Sequence, residues 1–169
     1  MSKLVVLHGV ESVGKTTLGR VLAGRAGALF LPEFGRAWCE IFGTDCDAAD
    51  LLEIGVNQQD NIEHALRDGR AVFSDTDALM TAAWAEMMLG QQLPELLTYR
   101  KADLYLYCKP DVPFVADGLR IFGQPEQRER FDRMAQAALD RANANYVVIE
   151  GDWESREAIA SEAVARILG

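Results

Sequence analysis

Five short apolar runs, the first Leu4-Val5-Val6-Leu7, punctuate a chain whose intervening segments repeat apolar positions at helical spacing. The runs predict strands near residues 4–8, 28–31, 71–74, 104–108 and 146–150. The amphipathic segments predict helices over 15–26, 35–42, 48–68, 78–89, 94–99, 126–143 and 155–168. This alternation is the pattern of an α/β fold, a parallel five-stranded sheet with helices on both faces. One stretch breaks it. Residues 110–125 hold three prolines and two glycines between a strand and a helix, which predicts a loop with room to move. No repeat, low-complexity tract or Ser/Gly-rich linker divides the chain, so residues 1–169 are expected to form one domain.

The first strand-to-helix junction reads Gly9-Val10-Glu11-Ser12-Val13-Gly14-Lys15-Thr16, followed by Thr17. A loop with glycines at both ends turns its backbone N–H groups inward around a polyphosphate, and the helix behind it presents its positive end to the same anion. Gly9 and Gly14 permit a backbone shape that side chains obstruct, while Glu11, Ser12, Val13 and Thr17 complete the cradle. Lys15 is placed to bridge the β- and γ-phosphates of ATP, and the Thr16 hydroxyl to coordinate Mg2+. A plain glycine turn does not need Lys-Thr at this spacing. The expected fold is therefore that of a P-loop NTPase.

Composition narrows the partners. The chain of 169 residues has a formal net charge of -9, which disfavours a nucleic acid, since that partner draws on a basic surface. A small anionic ligand needs only a local positive pocket. Although 49% of residues are apolar, no stretch approaches a membrane span, and the N-terminal residues lack the form of a secretory signal. A soluble, cytoplasmic protein is expected. Cys39, Cys46 and Cys108 are odd in number and lack metal-ligand spacing, so they read as reduced thiols, with Cys39 and Cys108 in the core. Oligomeric state is left open.

Ligands of open parallel sheets bind beyond the carboxyl ends of the strands, which directs attention to the loops there. After the second strand stand Glu33 and Arg36. Glu33 is a candidate to accept the proton of an attacking hydroxyl and Arg36 to orient an acceptor; an exposed helix-start pair is the plainer reading. After the third strand, Asp75 and Asp77 close the apolar run. Asp75 reads as the support of a magnesium-bound water or as the base itself, with Glu33 then a metal or substrate contact, and the sequence does not choose. Asp77 reads as a substrate contact or as the N-cap of the next helix. Gln58, Gln59 and Asn61 offer side-chain amides from a long helix. Trp84, among Met80, Met87 and Met88, is either core or the wall of a ring pocket. The proline-rich stretch holds Asp111, Asp117 and Arg120, and Arg128, Arg130 and Arg133 follow it. Arg120 is the favoured lid arginine, and the later three also fit a solvated helix face. His8 and His64 are poor ligands or bases by position.

The ordered set Gly-x-Glu-Ser-x-Gly-Lys-Thr-Thr, Pro-Glu-Phe-Gly-Arg-x-Trp, Gln59, Ser-Asp-Thr-Asp, Trp84, Asp-Val-Pro-Phe-Val-x-Asp-Gly-Leu-Arg and the closing Val147 to Trp153 with Arg156 resembles the ribosylnicotinamide kinase domain of the NadR proteins. The resemblance runs over essentially the whole chain. It implies a nucleoside-kinase-like fold with an arginine-bearing lid, and ATP- and Mg-dependent phosphorylation of the 5′-hydroxyl of nicotinamide riboside to nicotinamide mononucleotide. Phe34 and Trp38 stand where the family tends to have tyrosines. No adenylyltransferase or DNA-binding segment is expected in the chain. A cationic pyridinium ring favours an aromatic face, from Trp84 or Trp38, and a carboxylate, from Asp77 or Asp117. Two alternatives stay open: a kinase for another nucleoside or a nucleoside monophosphate, and a nucleotide-operated switch with little turnover.

Overall fold

The computed structural model describes residues 1–169. Five strands, β1 (Leu4–His8), β2 (Leu29–Leu31), β3 (Val72–Asp75), β4 (Leu104–Cys108) and β5 (Tyr146–Ile149), form one sheet in the order β2-β3-β1-β4-β5. Every pairing is parallel. β1, β3 and β4 are buried at every position, which is why β1 and β4 read as apolar runs without alternation, while β3 opens on Val72-Phe73 and ends in the buried polar pair Ser74-Asp75. The edge strands are mostly half-buried.

Six α-helices surround the sheet: α1 (Lys15–Ala26), α2 (Phe34–Phe42), α3 (Ala48–Leu66), α4 (Ala78–Leu89), α5 (Pro125–Arg141) and α6 (Trp153–Leu168). α1 contacts α6, while α3, α4 and α5 pack in succession. The handedness of parallel crossovers explains the division. The β1-to-β2 connection runs in one direction along the sheet and every later connection runs in the other, β3-to-β4 crossing β1, so right-handed crossovers place α1 and α3 on opposite faces. That reversal opens a crevice beyond the carboxyl ends of β1 and β3. Leu7 pairs with Asp75 in register, so the last residue of β3 lies beside the loop that leaves β1.

The main core of 30 buried residues fills the space between sheet and helices. A smaller cluster, including Leu51, Ile54, Ala82 and Leu96, joins α3 to α4 and packs against Trp38, Cys39, Trp84 and Met88. The elements expected from the pattern are present, with ends within two residues of those expected. The predicted helix over 94–99 is a single 3-10 turn, Pro94–Leu97. α6 starts two residues early because Asp152 caps it, its carboxylate accepting the Ser155 N–H at 2.8 Å. Residues 109–124 form no helix or strand.

Candidate active site

A cavity of about 190 Å³ lies beyond the carboxyl ends of β1 and β3, enclosed by the phosphate loop, α2, α3, α4 and the 109–124 segment. The loop's two glycines are required for different reasons. Gly9 has φ 142°, and a Cβ there would stand 2.6 Å from the Cys108 carbonyl oxygen. Gly14 has φ 81° and lies beneath the Trp153 ring. Ser12 and Thr76 also hold positive φ, at 58° and 73°, and both line the cavity. Such conformations persist where the surroundings enforce them and gather at functional sites.

Lys15 Nζ donates to the carbonyls of Gly9 at 2.9 Å and Val10 at 2.6 Å, so the ammonium lies across the loop. Thr16 Oγ1 donates to Asp75 Oδ2. Asp75 is 2% exposed, and its other oxygen, Oδ1, has no hydrogen-bond partner. A buried carboxylate oxygen without a donor is costly unless something positive meets it. Hard oxygen donors on one carboxylate and one hydroxyl suit magnesium, which takes few protein ligands and completes its shell with phosphate and water oxygens. No set of three carboxylate, histidine or cysteine side chains gathers to hold a metal by itself. The pair fits a magnesium ion shared with a nucleotide.

Glu33 sits at the start of α2 on the cavity wall. Burial, reinforced by the charge of Asp75, raises its carboxyl pKa to about 7, against the opposing pull of Lys15. A carboxyl tuned there exchanges protons near neutrality. Arg36, one turn along α2, also lines the cavity and pairs with Asp117 at 2.7 Å. Arg120 reaches the same cavity from the 109–124 segment, donating to Ser12 Oγ at 3.3 Å. That segment is fastened to the phosphate loop at further points. The Glu11 carboxylate accepts the N–H groups of Ile121 and Phe122, and Ser12 Oγ accepts that of Val115. Burial raises the Glu11 pKa.

The site thus gathers Glu11, Ser12, Val13, Gly14, Lys15, Thr16, Thr17, Glu33, Arg36, Asp75, Trp84 and Arg120 around one cavity. Other sequence candidates lie elsewhere. Gln59 does not line the cavity; it is buried in α3 with its amide nitrogen 3.5 Å from Glu63. Its neighbour Gln58 does line it, and ties Phe34 N–H to Ser74 Oγ. Asp77 is corrected from substrate contact to helix cap. It accepts the N–H groups of Leu79 and Met80 and the Tyr105 hydroxyl, and is 2% exposed. Asp117 is outside the lining, bound to Arg36 and Arg120. Trp84 lines the cavity while its ring meets Phe122 at a tilt and Phe131 edge to face. Cys39, expected in the core, is half-buried on the cavity wall with Cys46.

A family model for the AAA domain matches residues 4–156. The chain belongs to the AAA domain family. The trifunctional NAD biosynthesis/regulator protein NadR of Escherichia coli (strain K12) is 30% identical to this AAA domain over 176 residues, covering 99% of this chain and 43% of the relative. The chain therefore spans less than half the length of that relative. Two solved NadR structures, in complex with NR and with NAD and AMP-PNP, match at TM-scores of 0.80 and 0.82. Each is 24% identical and covered over 98% of this chain, against 51% and 49% of theirs. Thymidylate kinase from Ehrlichia chaffeensis matches at 0.71 and 14% identity, over 99% of both chains. These likenesses show a P-loop NTPase-like fold.

Two residues of this AAA domain carry a role that the sequence analysis did not give them. Arg128, read as a lid or surface arginine, is 7% exposed and donates to the carbonyls of Glu11, Ser12 and Val112. Arg156 is 1% exposed and donates to Gly151, Val13 and Lys109 carbonyls and to Asp111. Together they hold the phosphate loop through the carbonyls of Glu11, Ser12 and Val13. Arg133, by contrast, is a surface residue paired with Glu129. The signal that separates Arg128 from Arg130 and Arg133 is helical spacing, since Arg128 shares the apolar stripe of Phe131, Ala135 and Ala138 and the other two do not.

Proposed function

We propose that this chain is an ATP- and magnesium-dependent kinase that phosphorylates the 5′-hydroxyl of nicotinamide riboside. The observation that carries the reading is the convergence, in one cavity, of the Lys15 ammonium, the Thr16–Asp75 pair and the raised carboxyl of Glu33. The similarity to NadR supports the choice of acceptor.

Each residue has a distinct task. The loop N–H groups and Lys15 bind the donor phosphates and neutralise charge that grows during transfer. Thr16 and Asp75 would hold magnesium, which supplies Lewis-acid stabilisation of the phosphate oxygens when bound. Because Asp75 is engaged with Thr16, the proton of the acceptor hydroxyl falls to Glu33, which takes it in its ionised form. Arg36 orients the acceptor, and Arg120 reaches the transferring group from the lid. Trp84 offers its ring, and Glu33 and Asp75 their negative charge, to a cationic pyridinium. The lid excludes water that would otherwise accept the phosphoryl group. On this reading residues 1–169 act as a kinase domain on a small-molecule nucleoside in the cytoplasm.

Glu33→Gln and Asp75→Asn test the division of labour. Glu33→Gln is expected to lower kcat on the order of a hundredfold or more at an unchanged magnesium requirement. Asp75→Asn is expected to raise the magnesium concentration needed for half-maximal rate. A magnesium requirement that shifts only in Glu33→Gln would exchange the two roles.

A further inference from the structure

Asp117 lies outside the cavity lining, yet two of the cavity's cations meet on it. Its Oδ2 is 2.7 Å from Arg36 Nη1 on α2 and 3.4 Å from Arg120 Nε on the lid. Its other oxygen, Oδ1, accepts the N–H groups of Leu119 at 3.0 Å and Arg120 at 3.1 Å, which fixes the turn that carries Arg120. Gly118, inside that turn, holds φ 84°, a conformation that favours glycine. One carboxylate therefore sets the backbone under Arg120 and holds the guanidinium of Arg36.

The placement of these contacts matters. The start of the lid is held from α5 and α6, by Arg128 on Val112 and Arg156 on Lys109 and Asp111, while residues 115–122 are tied to the phosphate loop: Glu11 with Ile121 and Phe122, and Ser12 with Val115 and Arg120. The Arg36–Asp117 pair spans the opposite side, from lid to α2, where the acceptor-facing wall begins. We infer that Asp117 is a positioning residue that locks the acceptor-side Arg36 to the phosphate-side Arg120, so that the lid closes on acceptor and donor as one unit. This rests on the kinase reading above. Two arginines aimed at one cavity repel one another and both prefer water; a shared carboxylate cancels the repulsion and gives each a fixed direction. Misplacement of a positioned group by about 1 Å can cost about a hundredfold in rate.

The test separates the two arms of the lock. Asp117→Asn keeps an oxygen for the turn but removes the charge. It is expected to raise the acceptor KM and to lower kcat roughly ten- to hundredfold, with the affinity for a non-hydrolysable ATP analogue within about twofold of wild type, because the phosphate-loop ties remain. In an Arg36→Ala background the same change should leave acceptor KM where Arg36→Ala put it, and in an Arg120→Ala background it should leave kcat where Arg120→Ala put it. Full additivity in both backgrounds would overturn the positioning role. Tryptic cleavage after Arg120, followed with the ATP analogue bound, reads the lock without any turnover: faster cleavage in Asp117→Asn supports it, and unchanged cleavage contradicts it. Should the wild type phosphorylate no nucleoside at all, the kinase reading fails, and the cleavage rates still decide the lock.

Discussion

At Glu33 the burial that tunes the carboxyl also sets a pH dependence of both rate and stability. With its pKa raised to about 7, the ionised base disappears as pH falls below that value. kcat/KM is therefore expected to fall about tenfold per pH unit on the acid side and level off above, and Glu33→Gln should remove that limb from the residual activity. Stability runs the other way. A carboxyl whose folded pKa lies above its ordinary value of about 4.5 contributes stability fully below 4.5, and the contribution is lost as pH rises through about 7. Glu33→Gln is thus expected to have a higher Tm than wild type at pH 8, with the difference shrinking as pH falls toward 4; an equal difference at pH 8 and pH 4 would contradict the burial account. The residue scale is also where sequence reading was least decisive. Gln58 and Gln59 are neighbours about 100° apart around α3, and nothing in the pattern says which of two glutamines meets the cavity. Asp77 satisfies a cap and a ligand contact equally well until Tyr105 is seen to donate to it.

Among the elements, the phosphate loop is the one that both the sequence and the structure single out, but its supports come from far along the chain. Arg128 and Arg156 reach it from α5 and α6 across more than a hundred residues; each falls on its helix's apolar stripe, with Phe131 and Ala135 or with Ala160 and Ala163, but nothing in the sequence names the carbonyls it meets. Arg156→Met is expected to lower stability by about 2–4 kcal/mol, since it strands Asp111 and several buried carbonyls. Urea unfolding would measure this, and a loss below about 0.5 kcal/mol would mean that water replaces the guanidinium freely. For the start of α4, Asp77→Ala should cost about 1–3 kcal/mol through the lost cap and the stranded Tyr105 hydroxyl. It should leave acceptor KM unchanged; a rise in KM without loss of stability would restore Asp77 to the substrate. The strands were legible for a simple reason: burial on both faces erases alternation and leaves apolar runs. The turn at Pro94–Leu97 was harder, because four residues are too few to distinguish a 3-10 turn from a short helix by period.

For the molecule as a whole, topology and site are joined by the crossover reversal at β1, which brings residues from β3, α2 and the lid to the end of the phosphate loop. That arrangement follows from alternating elements and right-handed connections, so the crevice was foreseeable even where its lining was not. The acceptor is the point on which the functional account turns. On the proposed reading, the Trp84 side chain and the Glu33 and Asp75 carboxylates of the cavity lining, set against the Lys15, Arg36 and Arg120 cations, would meet the nicotinamide ring. The most direct measurement offers the purified protein ATP, magnesium and a panel of nicotinamide riboside, uridine, cytidine, thymidine and purine nucleosides, with products weighed by mass spectrometry and kcat/KM determined for each. The expected result is phosphorylation of nicotinamide riboside with the highest kcat/KM of the panel, abolished in Lys15→Ala. A higher kcat/KM for thymidine or cytidine, or full turnover by a folded Lys15→Ala protein, would contradict it.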